Sequence, residues 1–418
     1  MRDRTPTRAL ENGALRYGVY AEDGSLLRYE YLALEDDPTD PGTELRKATL
    51  LQDSTEVSLF GSAADRTIDE AFAGIAGQLK LIKSDMAAIT LTVQDTGGKP
   101  IPEVLVQGIL SESGQAVYTN ANGVAAGYIG EGSQVIKVSG YADLVDYSET
   151  ITVTKGTNIT KTWKLTTRDF LKVTSSRSIK FSGNVDTVDF TLGAPGSGAG
   201  GNISPESDDS TEEIATGGAG AGGSVKEVIA KAVSPNVSYP AVIGAGGLSG
   251  ESKTYYLSLR KSVYAEDGSA GGTTSFMGEK ISGPSGGKGA YWLYPRQECF
   301  AGDGAQGNGN GASGVKTYRG TTVNGQNGGA GAQKMYKSLT ETEDYGGGGG
   351  SGPIGGDPGA GGAPGGGNSG RPYVGQTTGS NGTANKGGGA GGGAGGNGKG
   401  GKGGSGAVAI RMHLKSAA

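Results

Sequence analysis

From Ala88 to Leu165 apolar and polar residues alternate with a period of two. The alternation runs through Ile89-Thr-Leu-Thr-Val93, Val104-Leu-Val-Gln107, Gln115-Ala-Val-Tyr118, Gln134-Val-Ile-Lys-Val138, Thr150-Ile-Thr-Val-Thr154 and Asn158-Ile-Thr-Lys-Thr-Trp163. Side chains along a strand point alternately to opposite faces, so each segment predicts a half-buried strand. Glycine and proline turns separate them roughly every 8 to 16 residues, which predicts an antiparallel β-sandwich over residues 88–167.

The region before it, 1–87, predicts a small α+β unit. Tyr17–Tyr20 and Leu26–Leu32 flank Asp23-Gly24, a hairpin signal. The prolines of Glu35–Gly42 then interrupt any element. Leu45, Ala48 and Leu51 fall on one face of a helix beginning near Glu44. A second helix is predicted from Thr67, whose hydroxyl can cap it with Glu70 in the capping-box position, ahead of Phe72, Ile75 and Leu79.

Beyond residue 168 the pattern changes again. Strand-like segments recur at Phe170–Leu192, Ser224–Val233, Ser238–Ile243 and Gly406–Leu414, and between them lie glycine clusters. Of the 83 glycines, 18 precede Gly193, leaving 65 in the last 226 residues. The Gly-X-Y frame breaks within Gly352–Gly370, which excludes collagen. Hydrophobic residues make up only 34% of the chain, so apolar burial cannot order this half. Extended threefold glycine helices packed backbone to backbone can, with N–H and C=O groups of neighbouring runs replacing an apolar core. Glycine loses the most backbone entropy on ordering, so many such runs must act together. The competing expectation is a flexible linker, against which the closing strand-like segment argues. The expected fold is mainly β and multidomain, with a glycine-rich, polyglycine-II-like sandwich with short strands over 168–418.

Charge and rare residues narrow the function. The net charge is −5 and no basic stripe occurs, which argues against nucleic acid as a partner. No apolar leader follows Met1-Arg2-Asp3-Arg4 and no long apolar stretch follows later, so neither a signal peptide nor membrane insertion is expected. The lone Cys299 and lone His413 cannot supply a disulfide or a clustered zinc site, and no cofactor or metal is expected.

Three segments carry resemblances. Pro41-Gly-Thr-Glu-Leu-Arg-Lys-Ala-Thr-Leu-Leu51 followed by Ser58-Leu-Phe-Gly61 resembles an N-terminal segment of phage tail and baseplate-associated proteins. Val93–Pro102, Thr119–Val124 and Ser139-Gly-Tyr141 together resemble the carboxypeptidase regulatory-like sandwich, a common spacer. Tyr239–Gly247, Gly271–Phe276 and Gly403–Arg411 resemble, in order, the glycine-rich domain of phage tail fibres, with long inserts at Glu251–Ala270 and Ala290–Phe300. The last resemblance implies a polyglycine sandwich whose loops bind a host receptor.

These readings converge on a non-enzymatic virion protein, a tail-fibre or receptor-binding subunit held to other tail or baseplate proteins through its N-terminal region. As a symmetric fibre it is expected to be a homotrimer. Its expected partner is a host cell-surface glycan or protein. A head-decoration or scaffold protein and a polysaccharide-cleaving spike are the alternatives. A glycine lattice presents little side-chain chemistry, so receptor contact is assigned to aromatic-bearing loops: Tyr291, Trp292, Tyr294 and Arg296, with Tyr318, Tyr336, Tyr345 and Tyr373.

Overall fold

Alternating strands need partners, and the computed structural model supplies them across residues 15–20, 26–32 and 86–415, apart from 113, 207–211, 373–376 and 396, which is the part of the chain the structure describes. The helices expected near Glu44 and Thr67, and the Pro41–Leu51 motif, lie outside the described residues. The architecture is mainly β: the described elements are strands and one 3₁₀ turn, Leu257–Leu259. The chain divides into two units, 1–85 and 86–418. In the first, Leu15–Tyr20 and Leu26–Leu32 pair antiparallel as the Asp23-Gly24 signal predicts.

The second unit opens with a seven-stranded sheet that folds over itself. Its order is Tyr147–Val153, Gly132–Val138, Leu105–Leu110, Val124–Gly130, Met86–Asp95 and Asn158–Leu165, with Ala116–Tyr118 on the flank of Leu105–Leu110. The two halves share Leu105–Leu110, which turns between them at Gly108. That residue has φ +96°, and a Cβ there would stand 2.4 Å from the Val135 carbonyl, so only glycine lets the strands cross. Inward side chains, among them Ile89, Leu91, Val93, Val106, Ile129, Val138, Val153, Trp163 and Leu165, form one buried core.

Two details depart from the periodicity reading. Val124–Gly130 is a strand paired with Met86–Asp95, although its small residues hide the alternation. The pairing of Met86–Asp95 with Asn158–Leu165 is parallel rather than antiparallel, in register from Ala88↔Asn158 to Asp95↔Leu165. The remaining strands lie between these two in sequence, and together they form the long crossover a parallel pair requires.

From Phe170 onward a four-stranded antiparallel sheet runs Phe170–Val173, Ala407–Leu414, Val185–Gly193, Val225–Ala232. A second sheet, Arg177–Ile179, Tyr239–Val242, Thr273–Phe276, Glu279–Ser282, shares a core with it. There Phe190 meets Phe276 edge-on, with centroids 5.1 Å apart. The chain then leaves these sheets repeatedly in glycine runs and returns. Run 194–202 leads from Val185–Gly193 to a distal strand, Ile203–Pro205, and run 216–223 returns from the distal Glu213–Ala215 to Val225–Ala232.

These runs form the polyglycine-II-type lattice that the composition demands. Around 216–223 the amide hydrogens point to a different neighbour at each step and repeat every third residue. Ala219 and Gly222 donate to the carbonyls of Ala312 and Gly309, both at 2.8 Å, while Gly220 and Gly223 donate to those of Ala390 and Gly387 at 2.9 and 2.7 Å. Gly218 donates to the Lys288 carbonyl at 2.9 Å, and Ala221 to the Ser197 hydroxyl at 2.9 Å. Further neighbours donate inward, including Gly349 to the Gly220 carbonyl and Ala305 to the Ala219 carbonyl. A threefold extended helix has this symmetry, and its buried polar groups are paired run to run. The runs are ordered structure, which answers the linker alternative.

Candidate functional site

Where the runs end, away from the two large sheets, the long inserts make small sheets of their own. Lys253–Tyr255, Ile203–Pro205, Glu213–Ala215 and Lys316–Tyr318 form one; Val263–Tyr264, Tyr291–Leu293 and Glu298–Phe300 form another. They share a satellite core of Ile203, Ala215, Tyr255, Ala290, Trp292 and Cys299.

Strand alternation sorts the aromatics of the second small sheet. Val263, Trp292 and Cys299 are opposite one another in register, as are Tyr264, Tyr291 and Phe300 one position along. Side chains one position apart face opposite ways. Trp292 therefore points inward, 1% exposed, and stacks flat on Tyr255 with centroids 4.8 Å apart at 7°. Tyr264, Tyr291 and Phe300 point outward as a column of rings. Tyr264 lies 5.7 Å from Tyr291, and Tyr291 lies 4.9 Å from Phe300 at 8°. Lys316 Nζ ends the column 5.2 Å from the Phe300 centroid, while pairing with Glu298 Oε1 at 2.6 Å. Tyr264 is 61% exposed.

The column forms one wall of an open cleft of about 720 Å³, whose polar side chains are Glu266, Asp267, Lys288 and Asp303. Lattice ends carry all four, so their backbone is fixed: Lys288 donates its amide to the Asp303 carbonyl, and Gly289 donates its amide to Asp267 Oδ1 at 2.8 Å. Lys288 Nζ donates to Asp267 Oδ2 at 2.7 Å. Burial opposes ionisation of Asp267, but the Lys288 and Gly289 hydrogen bonds outweigh it and hold the carboxyl below its ordinary value. The cleft thus joins flat apolar faces to ionised acceptors and one ammonium, a surface suited to a polyhydroxylated ligand with ring faces. Among the described residues no three His, Cys, Asp or Glu side chains gather as a metal site, and no helix is long and apolar enough to cross a membrane.

The residues expected to contact a receptor divide accordingly. Tyr291 lies in the column. Tyr294 and Tyr318 are 38% and 56% exposed, and Arg296 is exposed at the turn before Glu298, but none of these three lines the cleft. Trp292, Tyr336 and Tyr345 are interior, which corrects the expectation for them. The Tyr345 ring fills the space left by Gly193 and Gly387, and its hydroxyl donates to the Ala194 carbonyl at 3.0 Å. Tyr336 is capped by the Arg411 guanidinium 3.7 Å from its ring and donates its hydroxyl to Glu227. Tyr373 lies outside the described residues. Tyr264 and Phe300 were missed by sequence reasoning. A hairpin signal was present, since Tyr291–Leu293 and Glu298–Phe300 flank Tyr294-Pro-Arg-Gln297, and that pairing puts Tyr291 and Phe300 on one face.

Comparison with protein families matches residues 172–413 to a glycine-rich domain. Comparison with curated proteins gives no match.

Proposed function

The chain belongs to the glycine-rich domain family, and from that premise we propose that it is a non-enzymatic receptor-binding subunit of a bacteriophage tail fibre. In this reading its glycine-rich half attaches the particle to a host surface saccharide. One observation carries the reading: the outward column Tyr264, Tyr291 and Phe300 lines an open cleft built on rigid lattice ends. Binding residues held on loops by a rigid scaffold are a common solution for recognition, and stacked aromatic faces bind ring faces at low entropy cost. Glu266 pairs with Lys253 at 3.6 Å and Asp267 with Lys288 at 2.7 Å, which leaves the Asp303 carboxylate to favour a neutral or amino sugar over an acidic one. The virion part of the proposal rests on the resemblances of Pro41–Leu51 and of the glycine-rich half to tail proteins, and the subunit is a homotrimer joined to other tail proteins through its N-terminal region.

The test uses fluorescently labelled full-length protein on whole cells of candidate bacterial hosts, with their released surface polysaccharide as competitor. Saturable binding that neutral polysaccharide displaces is the expected result. Absence of binding across hosts that the cognate virion adsorbs to would overturn the proposal.

A further inference from the structure

We propose that the cleft where the sandwich meets the glycine-rich half binds a phosphate group carried on a small polyol or sugar. The cleft encloses about 290 Å³, and its charged side chains are Arg168, Arg177, Lys180 and Asp146. That volume is just below the range of drug-sized ligand pockets, roughly 300 to 1,000 Å³, and suits a small ligand.

Many lysines of the glycine-rich half are matched with carboxylates, as in Lys172 and Lys386 on Glu343, Lys226 and Lys231 on Glu279, and Lys288 on Asp267. Arg168, Arg177 and Lys180 form no ion pair among the described residues, although the chain carries a net charge of −5. Lys180 Nζ is held 5.3 Å from the Tyr141 ring centroid. The one carboxylate, Asp146, is turned to the Gly140 amide at 2.9 Å. Three cations therefore line one cleft together with a single, already engaged acid.

The backbone that carries them is fixed before any ligand arrives. Arg168 donates its amide to the Asp143 carbonyl at 2.7 Å, and Ala142 donates to the Lys180 carbonyl at 2.8 Å, so both positions are tied to one loop of the sandwich. Arg177 is paired with Ala241 in the second sheet. Donors reach the cleft from two segments, Arg168 after Asn158–Leu165 and Arg177 with Lys180 on and just after Arg177–Ile179, which suits a tetrahedral oxyanion that offers acceptors in several directions and up to two charges. A carboxylate offers two oxygens in one plane and engages one guanidinium fork fully. The site is distinct from the acid-rich aromatic cleft and would add an anionic contact that the latter disfavours.

Calorimetric titration of the full-length protein at low ionic strength, with glycerol 3-phosphate, inorganic phosphate and glucuronate in turn, tests the assignment. Glycerol 3-phosphate should bind saturably and compete with inorganic phosphate, and glucuronate should bind at least tenfold more weakly. The double variant Arg168→Gln/Arg177→Gln should weaken glycerol 3-phosphate binding at least tenfold with an unchanged melting temperature, both side chains being exposed. Lys180→Gln alone should weaken it several-fold and serves if the double variant fails to fold. No saturable binding by the native protein, equal binding by the variants, or glucuronate binding as tight as the phosphate overturns the proposal. Because none of these substitutions touches Tyr264 or Tyr291, the outcome is independent of the cell-binding result.

Discussion

The amide of Gly220 donates to the carbonyl of Ala390 at 2.9 Å, and that bond joins two glycine runs far apart in sequence. A Cβ on Gly220 would stand 2.1 Å from the Ser197 carbonyl oxygen and 2.8 Å from the Ala390 nitrogen, both backbone atoms of packed runs. Neither can give without shifting a whole run. Gly220→Ala should therefore cost about 3 kcal/mol, the upper part of the usual overpacking range. One residue away the sign reverses: the Ala219 methyl is buried without conflict, and Ala219→Gly should cost about 1 kcal/mol through lost burial and added chain entropy. Urea unfolding midpoints measure both, and a Gly220→Ala protein as stable as the native one would refute the lattice account.

Asp143 gives the junction between sandwich and glycine-rich half a dependence on pH. It is fully buried and accepts the Ser182 amide at 3.0 Å together with the Ser182 hydroxyl. Burial pushes its carboxyl above the ordinary value, and the Ser182 bonds only partly offset this. A raised folded value means the native state holds the proton more tightly than the unfolded chain. The contribution is complete below the ordinary carboxylate pKa of about 4 and is lost as pH rises through the raised value. Glu149 and Glu343 are shifted down, so their opposite slope lies below the ordinary glutamate value. Subtracting the stability curve of Asp143→Asn from that of the native protein should leave a difference that falls with rising pH above about 4. A flat difference would mean that the Asp143 carboxyl binds its proton no more tightly in the folded protein than in the unfolded chain.

Cys299 should be inert while the protein is folded. It is buried, and desolvation with the nearby Glu213 carboxylate pushes its thiol up to about 12. The thiolate is the reactive form, so at pH 8 native protein should react with a disulfide reagent at least tenfold more slowly than urea-unfolded protein. Equal rates would place the thiol at the surface.

Much of this architecture was legible in the sequence because the relevant signals are local. Period-two alternation located six of the seven sandwich strands, failing at Val124–Gly130, where Ala125, Ala126 and Gly127 give little contrast between faces. Glycine density implied backbone packing, but not which run neighbours which, since identical runs carry no pairing information. The site was only half visible. Tyr291 and Trp292 are adjacent in sequence and look equivalent there, yet the pleat sends one outward and the other into the core. Tyr345 and Tyr336 read as loop aromatics, and their burial depends on Gly193, Gly387 and Arg411, which only the fold brings near.

That division of neighbours yields the sharpest prediction for the proposed attachment site. Trp292 fills the satellite core against Tyr255, so Trp292→Ala should destabilise the protein by about 3 to 5 kcal/mol and reduce cell binding only through loss of folded protein. Tyr264 is mostly exposed, so Tyr264→Ala should shift stability by less than about 0.5 kcal/mol. Tyr291, stacked between two rings, should cost about 1 kcal/mol when truncated. Each tyrosine truncation removes one ring face from the cleft, and each should weaken binding of folded protein to host cells about tenfold, equivalent to about 1.4 kcal/mol. Tyr318 is equally exposed but lies outside the cleft, so Tyr318→Ala should leave binding unchanged. Binding isotherms on whole cells, each paired with a melting curve, separate these outcomes. If Tyr264→Ala and Tyr291→Ala bind as the native protein does while Tyr318→Ala does not, the receptor contact lies on Lys316–Tyr318 rather than on the ring column.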